Sequence, residues 1–267
     1  MRNTKDIMRK KTPSSLVHYT SQQTLYNIFE NLDEKDGEVY FKLHASNINM
    51  MNDMDEQGFF LSKFFTKSLI KKDLQSLLDN IIAQNGDLFV ISFMKSDLCK
   101  FGKIPMWKMY ADNGNGVMLK FRYKELYNFL NQQIFECKYI NTTSIQEIIK
   151  AKNKELKNGK TERTKFVQCL YKEVALYKYN YWEYENEYRF IIQSNKPLFK
   201  HNSLGLVSYT EVRIPLSCIS EILIGPIANQ IILDRSLNQL KTVLLKKYGK
   251  ENINFNIKKS KLKLQSL

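Results

Sequence analysis

The chain has 267 residues, 43% hydrophobic and 25% charged, with 10 Gly, 5 Pro and a formal net charge of +14. That length and apolar content suffice for a proper core and exclude a mostly disordered or collagen-like chain, and the scarce glycine counts against a Gly-rich nucleotide fold. The positive charge reads either as a solvated Lys-rich surface or as an attraction to a polyanion.

In chain order, Met1–Lys11 is polar and basic with no apolar stretch behind it, which does not read as a secretory signal. Leu16–Thr20 is a short strand, and Ser21 caps a helix whose Leu25, Ile28 and Phe29 share one face. Glu38–Leu43 is a second strand, followed by a polar, Asn- and Met-rich loop from Ser46 to Gln57. Leu69, Ile70, Leu74, Leu77, Leu78, Ile81 and Ile82 keep helical spacing up to a stop at Asn85–Gly86. Leu88–Phe93 is almost continuously apolar and so is expected at the centre of a sheet. A helical turn over Pro105–Tyr110 leads into Asp112–Gly116, expected to be a plain hairpin turn. The strand Val117–Phe121, a helix around Leu126–Leu130 and an alternating strand Phe135–Tyr139 follow. The stretch from about Ser144 to Tyr177 is helical and the most basic of the chain, with Lys150, Lys152, Lys154, Lys157, Lys160, Arg163 and Lys165. Further strands are read at Glu187–Ile192, Leu206–Ile214 and Ile219–Ile224, then a helix over Gln230–Lys247 and an edge strand over Asn252–Ile257. No run is long and apolar enough to span a membrane. The expectation is a soluble, cytoplasmic protein of α+β class: a basic segment over 1–15, one domain over 16–250 and an edge strand with a Lys-rich tail over 251–267.

Several chemistries lack their residues. The sequence has no Walker or Rossmann glycine loop, no HExxH and no GxSxG. Cys99, Cys137, Cys169 and Cys218 lie too far apart for a zinc ribbon, and no metal is expected. Of three histidines, His201 reads as a loop residue and His44 as a surface group at a strand end. His18, inside an apolar strand beside Tyr19 and Thr20, reads on its own as a buried, hydrogen-bonded structural histidine. Tyr181–Arg189 concentrates carboxylates and aromatics where a strand begins. Alternation puts Glu185 and Glu187 on one face and Trp182, Tyr184 and Tyr188 on the other. Two readings follow: a carboxylate site for a cationic transition state, or an edge-strand charge pair of Glu187 with Arg189 or a lysine. Trp107 and Tyr110, at i and i+3, are either core or a ligand platform.

Five of these segments, in order, resemble a bacterial family known as domain of unknown function 2971: Val17–Thr20, Met51–Glu56, Val90–Phe93, Met106–Asn113 with Gly116, and Trp182–Arg189. Ile222–Pro226 resembles the family's closing strand, so the likeness runs over residues 16–245, with Met54 standing where the family has proline. The layout also resembles ADP-ribosyltransferases of the diphtheria-toxin and nucleic-acid-modifying toxin type. That resemblance implies a split, twisted sheet with flanking helices and NAD as substrate. It implies that His18 binds the adenosine or nicotinamide ribose, that Tyr19, Thr20 and Asn52 also contact the NAD, and that Tyr110, or Trp107 in its place, packs on the nicotinamide. Glu187, or Glu185 in its place, would stabilise the oxocarbenium-like transition state, and Arg189 would meet the pyrophosphate or pair with a Glu.

The expected function is transfer of ADP-ribose from NAD to a macromolecule, preferentially RNA or DNA, as a toxin or antiphage effector. An antitoxin or chaperone is a further possible partner. The rival reading is a non-enzymatic basic nucleic-acid-binding module that uses the Lys-rich helix from Lys150 to Lys165, its Tyr and Trp clusters being core or base-stacking platforms. A 2′-phosphotransferase would need more His and Arg than the chain supplies.

Overall fold

The computed structural model describes residues 12–51, 71–96, 100–157, 162–202 and 205–263. In chain order these form β1 (Ser15–Thr20), α1 (Gln22–Glu30), β2 (Asp33–Lys35), β3 (Glu38–Asn47), α2 (Lys71–Asn85), β4 (Asp87–Lys95), α3 (Ile104–Tyr110), β5 (Val117–Arg122) and α4 (Tyr123–Phe129). After them come β6 (Ile134–Glu136), β7 (Lys138–Ile140), α5 (Thr142–Lys157), α6 (Arg163–Val174), β8 (Tyr177–Tyr179) and β9 (Glu187–Ser194). The chain continues through β10 (Leu198–Asn202), β11 (Gly205–Pro215), β12 (Ile219–Ile224), α7 (Gln230–Tyr248) and β13 (Asn256–Lys259).

The α+β class holds: one mixed sheet carries helices on both faces. Its strand path is β10-β11-β3-β4-β1-β5-β12-β13, with β9 also on β4 and β6 on β9. The pairs are antiparallel except β12 with β13. Two faces covered by helices explain why Leu88–Ile91 can be buried without alternation. The larger core packs Leu25, Ile28 and Phe29 of α1, Leu126 of α4 and Leu237 of α7 against Phe41, Phe93 and Phe121. The opposite face is covered by α2, α5 and α6, through Leu78, Ile145 and Leu170, over Leu88, Val90 and Ile191. Beside them α3 sets Met106 and Trp107 on Val17, Tyr19 and Met94.

β4 is where the sheet divides. Along one edge it pairs with β9 from Asp87 to Met94. The other edge is shared: β3 holds Phe89 and Val90, and β1 holds Met94 and Lys95. Between them the Ser92 carbonyl oxygen takes the Nδ1 of His18 at 2.9 Å. A side chain thus replaces the backbone ladder at the point where β1 and β3 diverge.

Local signals fix several element ends. The Ser21 hydroxyl accepts from Thr24 N at 3.1 Å, and Asn229 caps α7 in the same way. Gly86 ends α2 at φ +82, where a Cβ would lie 1.9 Å from the Ser194 carbonyl oxygen. Gly86→Ala is therefore expected to cost about 2–4 kcal/mol, combining left-handed strain with a backbone clash. A lowered urea midpoint at unchanged slope would register it; a change within error would mean the turn relaxes freely.

The structure corrects several expectations. Phe135–Tyr139 is not one strand: Cys137 divides it into β6, which pairs with β9, and β7, which pairs in parallel with β8. Asp112–Gly116 joins a helix to a strand rather than two strands, and its left-handed residues include Asp112 and Asn113. The basic helical stretch is two helices, α5 and α6, before β8. β2 and β10 were not anticipated, and His201 lies on β10 instead of in a loop. His44 sits within β3, not at its end. The C-terminal strand lies at the sheet edge as β13, but over Asn256–Lys259 rather than Asn252–Ile257. Leu69, Ile70, Cys99 and Lys160 lie outside the described residues. No helix among the described residues is long and apolar enough to cross a membrane.

Candidate functional site

β9 begins immediately after a 3-10 turn over Asn180–Glu185 and a left-handed Asn186 (φ 48). That turn, not strand alternation, brings the two carboxylates together, because Glu185 precedes the strand. Their meeting point is Lys178 on β8, a residue that the pattern of acidic and aromatic side chains does not single out. Its Nζ donates to Glu185 Oε2 at 2.6 Å and reaches Glu187 Oε2 at 2.8 Å. Arg189 closes the other side of Glu187, with Nε 2.8 Å from Oε1 and Nη2 3.2 Å from Oε2, and its Nη1 donates to the Ala175 carbonyl at 2.7 Å. The Tyr139 hydroxyl accepts from Glu187 N at 2.7 Å. All four charged residues are at most 3% exposed. The sequence signal for Lys178 is its place inside an aromatic run, Tyr177-Lys-Tyr-Asn-Tyr-Trp182.

A buried network of two cations and two carboxylates exists only because each charge is paired and hydrogen-bonded. Burial by itself would push the Glu187 carboxyl up; the Arg189 guanidinium and the Lys178 ammonium outweigh it and bring it down to about 2. The charge pair anticipated for Glu187 is present, but in the interior. β9 is flanked by β4 on one edge and β6 on the other, so this is not an edge strand.

Glu185 is the carboxylate with a route outward. Its Oε1 accepts from the Tyr110 hydroxyl at 2.9 Å, and Tyr110 is 37% exposed. Around it lies an aromatic surface. Tyr179 and Tyr181 stack at 5.3 Å, Trp182 follows at 5.6 Å from Tyr181, and Tyr184 at 5.9 Å from Trp182. The Tyr184 hydroxyl touches the Met109 sulfur at 3.7 Å, and the Lys103 ammonium donates to the Tyr184 carbonyl. The Lys178 ammonium lies 5.4 Å from the Trp182 ring centroid.

The remaining sequence-derived residues are placed elsewhere. Val17 pairs with Met94 and Met94 with Glu187, so these three share a face of the sheet, while His18 points to the opposite one. There it meets Phe93 edge-on at 6.0 Å, and burial lowers its pKa against the hydrogen bond to Ser92. A neutral imidazole donating through Nδ1–H fits that environment, the structural role that the residue type by itself suggested. Trp107 is fully buried, donates from Nε1 to the Phe101 carbonyl at 2.9 Å and meets Tyr19 edge to face at 5.0 Å. Its ring has no free face, so of the two aromatics only Tyr110 is presented to a ligand. The space beside Tyr19, lined also by Val17, Met94 and Lys103, measures about 10 Å³. Thr20 is buried at the end of β1. Asn52 lies outside the described residues. The structure therefore gathers Tyr110, Glu185, Glu187 and Arg189, adds Lys178, and leaves His18 on the other side of the sheet.

Residues 106–190 match the model of a family described as a protein of unknown function, DUF2971. The match supports that family over a stretch running from the Trp107 helix to the middle of β9. It is narrower than residues 16–245, and it contains Tyr110, Lys178, Glu185, Glu187 and Arg189 but not His18. No curated protein and no solved structure matches the chain. Among the described residues no group of three or more His, Cys, Asp or Glu is placed to hold a metal ion.

Proposed function

We propose that this protein cleaves the nicotinamide–ribose bond of NAD and transfers ADP-ribose to a nucleic acid, with Glu185 as the reacting carboxylate. The observation that carries the reading is the hydrogen bond from half-exposed Tyr110 to a buried Glu185 beneath an aromatic surface. The nicotinamide ring would stack on that surface, on the side of Tyr110 and Tyr184, since the 10 Å³ space beside Tyr19 is too small for any ring. Displacement of the Tyr110 hydroxyl by the ribose would then give Glu185 Oε1 a substrate hydroxyl to accept from. As the C1′–N bond breaks, its electron pair leaves with neutral nicotinamide, and positive charge develops on the sugar. A fixed carboxylate favours that charge more than it favours the ground state. The acceptor oxygen or nitrogen bonds to C1′ and releases its proton to the solvent water. Lys178 and Arg189 act as positioning residues: Lys178 holds both carboxylates in place and Arg189 fixes Glu187. Consumption of NAD or modification of nucleic acid harms the producing cell, which keeps the toxin or antiphage role within the proposal.

The test is nicotinamide release, with RNA and DNA supplied as acceptors. Glu185→Gln preserves shape and is expected to lower the rate by about 10²–10³-fold, the scale of removing one preorganised group from a charge-developing centre. Tyr110→Phe, at a half-exposed position that tolerates change, is expected to alter KM more than kcat. Wild-type turnover in a folded Glu185→Gln protein would overturn the assignment, and so would the absence of nicotinamide release from the wild type.

A second reading is favoured by a specific observation: both oxygens of Glu187 are engaged by Arg189 and Lys178. A network this completely paired also serves as a rigid internal anchor. On that reading the aromatic surface is a stacking platform for unpaired bases, and the protein binds nucleic acid without altering it.

A further inference from the structure

Next to β13, and lined also by Lys100 and Phe101 of the loop that carries Lys103, lies a cavity of about 410 Å³. Its floor is apolar, with Leu223, Ile257 and the Phe101 ring, and its rim carries Lys100, Lys258, Lys259 and Lys261. Two of these lysines are neutralised internally: Lys258 pairs with Glu221, and Lys259 Nζ lies 2.9 Å from Asp234. The other two converge on one ring. Lys100 Nζ is 5.8 Å and Lys261 Nζ 6.0 Å from the Phe101 centroid. Both side chains are exposed, while Phe101 is half-buried. Its backbone is held by the carbonyl, which accepts from Trp107 Nε1 at 2.9 Å and from the Ser260 hydroxyl at 3.2 Å.

This arrangement has a chemical reading. An apolar ring on a fixed backbone, with two ammonium groups on flexible stems close to it, matches a base and its neighbouring phosphates. The spare positive charge favours an anionic ligand over a neutral one, and lysines rather than arginine forks suit phosphates met as point charges. The cavity is also continuous in sequence with the aromatic surface. Phe101 and Lys103 belong to the same short loop, and Lys103 reaches the Tyr184 carbonyl.

We infer that this cavity is an anchoring subsite for single-stranded nucleic acid, in which Phe101 stacks on one base and Lys100 and Lys261 contact the flanking phosphates. A strand seated there runs along the Lys100–Lys103 loop toward Tyr184 and Tyr110, so the inference deepens the reading proposed above and rests on it for the direction of the strand. A duplex has no free base face to offer Phe101 and is expected to bind more weakly.

The experiment measures fluorescence anisotropy of labelled single-stranded RNA and DNA across a salt series, with no NAD present. Binding of either strand type supports the subsite, and the tighter one names the source. Lys100→Gln/Lys261→Gln is expected to reduce the slope of log K against log salt by about 1.4, the loss of two single-strand phosphate contacts. Phe101→Leu is expected to weaken single-strand binding about tenfold or more while leaving duplex binding unchanged. Lys150→Gln/Lys154→Gln on α5 removes the same charge outside the cavity lining and is expected to leave the slope in place. An equal loss from the α5 pair, equal affinity for duplex, or no single-strand binding by the wild type would overturn the inference. The two proposals fail separately. A protein that binds as described but releases no nicotinamide retains the subsite and loses the enzyme, and transfer with an unchanged salt slope does the reverse.

Discussion

Lys178→Met is expected to destabilise the protein by about 3–5 kcal/mol near neutral pH, the scale of removing one partner from a buried ion pair. The reason is local. Lys178 Nζ is the group that both Glu185 and Glu187 meet, at 2.6 and 2.8 Å, in surroundings that exclude water. Methionine fills a similar volume, so the loss measures charge rather than packing. The pH dependence gives the sign. Glu187 has its folded pKa depressed to about 2 from an ordinary value of 4.5. A depressed carboxyl stabilises the fold fully above the unfolded value, and the contribution fades as pH falls from 4.5 toward 2. For Glu187 that contribution is on the order of 3 kcal/mol. Without Lys178, burial is opposed by Arg189 alone, the folded value rises and less stability remains to be lost in acid. Urea unfolding near neutrality and again at about pH 3 is expected to show the gap between wild type and variant narrowing with acid. A loss below about 1 kcal/mol at neutrality would mean that relaxation or water replaces the ammonium.

Trp107→Ala is the other large effect, expected at about 3–5 kcal/mol. The indole is completely buried, and Gly102 lies so close that a Cβ there would come within 2.4 Å of Nε1. A cavity opened at that point borders Val17, Tyr19, Met94 and Met106, all anchored on strands or on α3, so collapse is restricted. The hydrogen bond is the smaller part. The Phe101 carbonyl keeps a second donor in the Ser260 hydroxyl, so Trp107→Phe is expected to cost only about 1 kcal/mol beyond its volume change. Thermal or urea unfolding of Trp107→Ala and Trp107→Phe in parallel checks the order. Near-equal losses would place the weight on the N–H instead of on packing.

Much of the fold was legible because it rests on local rules. Ser21 with Leu25, Ile28 and Phe29 announced α1 by cap and period, and Asn85–Gly86 announced where α2 stops. The apolar run in β4 stood out because both faces of that strand are covered. Misreadings came where partners decide. Phe135–Tyr139 alternates evenly, yet Cys137 N turns to the Glu187 carbonyl and the next residue joins β8. The basic stretch likewise looked uniform, but Lys152 is committed to Glu155 and Glu173.

The candidate site divides in the same way. The sequence by itself determined the α+β class, the position of the central strand, and the concentration of Glu185, Glu187, Arg189 and aromatics at the start of β9. Period, caps and composition act over a few residues, so they can be read along the chain. Only the tertiary structure decided that Lys178 joins the two carboxylates, that Tyr110 and not Trp107 faces outward, and that His18 lies across the sheet from Glu187. Those outcomes depend on strand register, where one residue reverses the face, and on a turn that carries Glu185 back over β8.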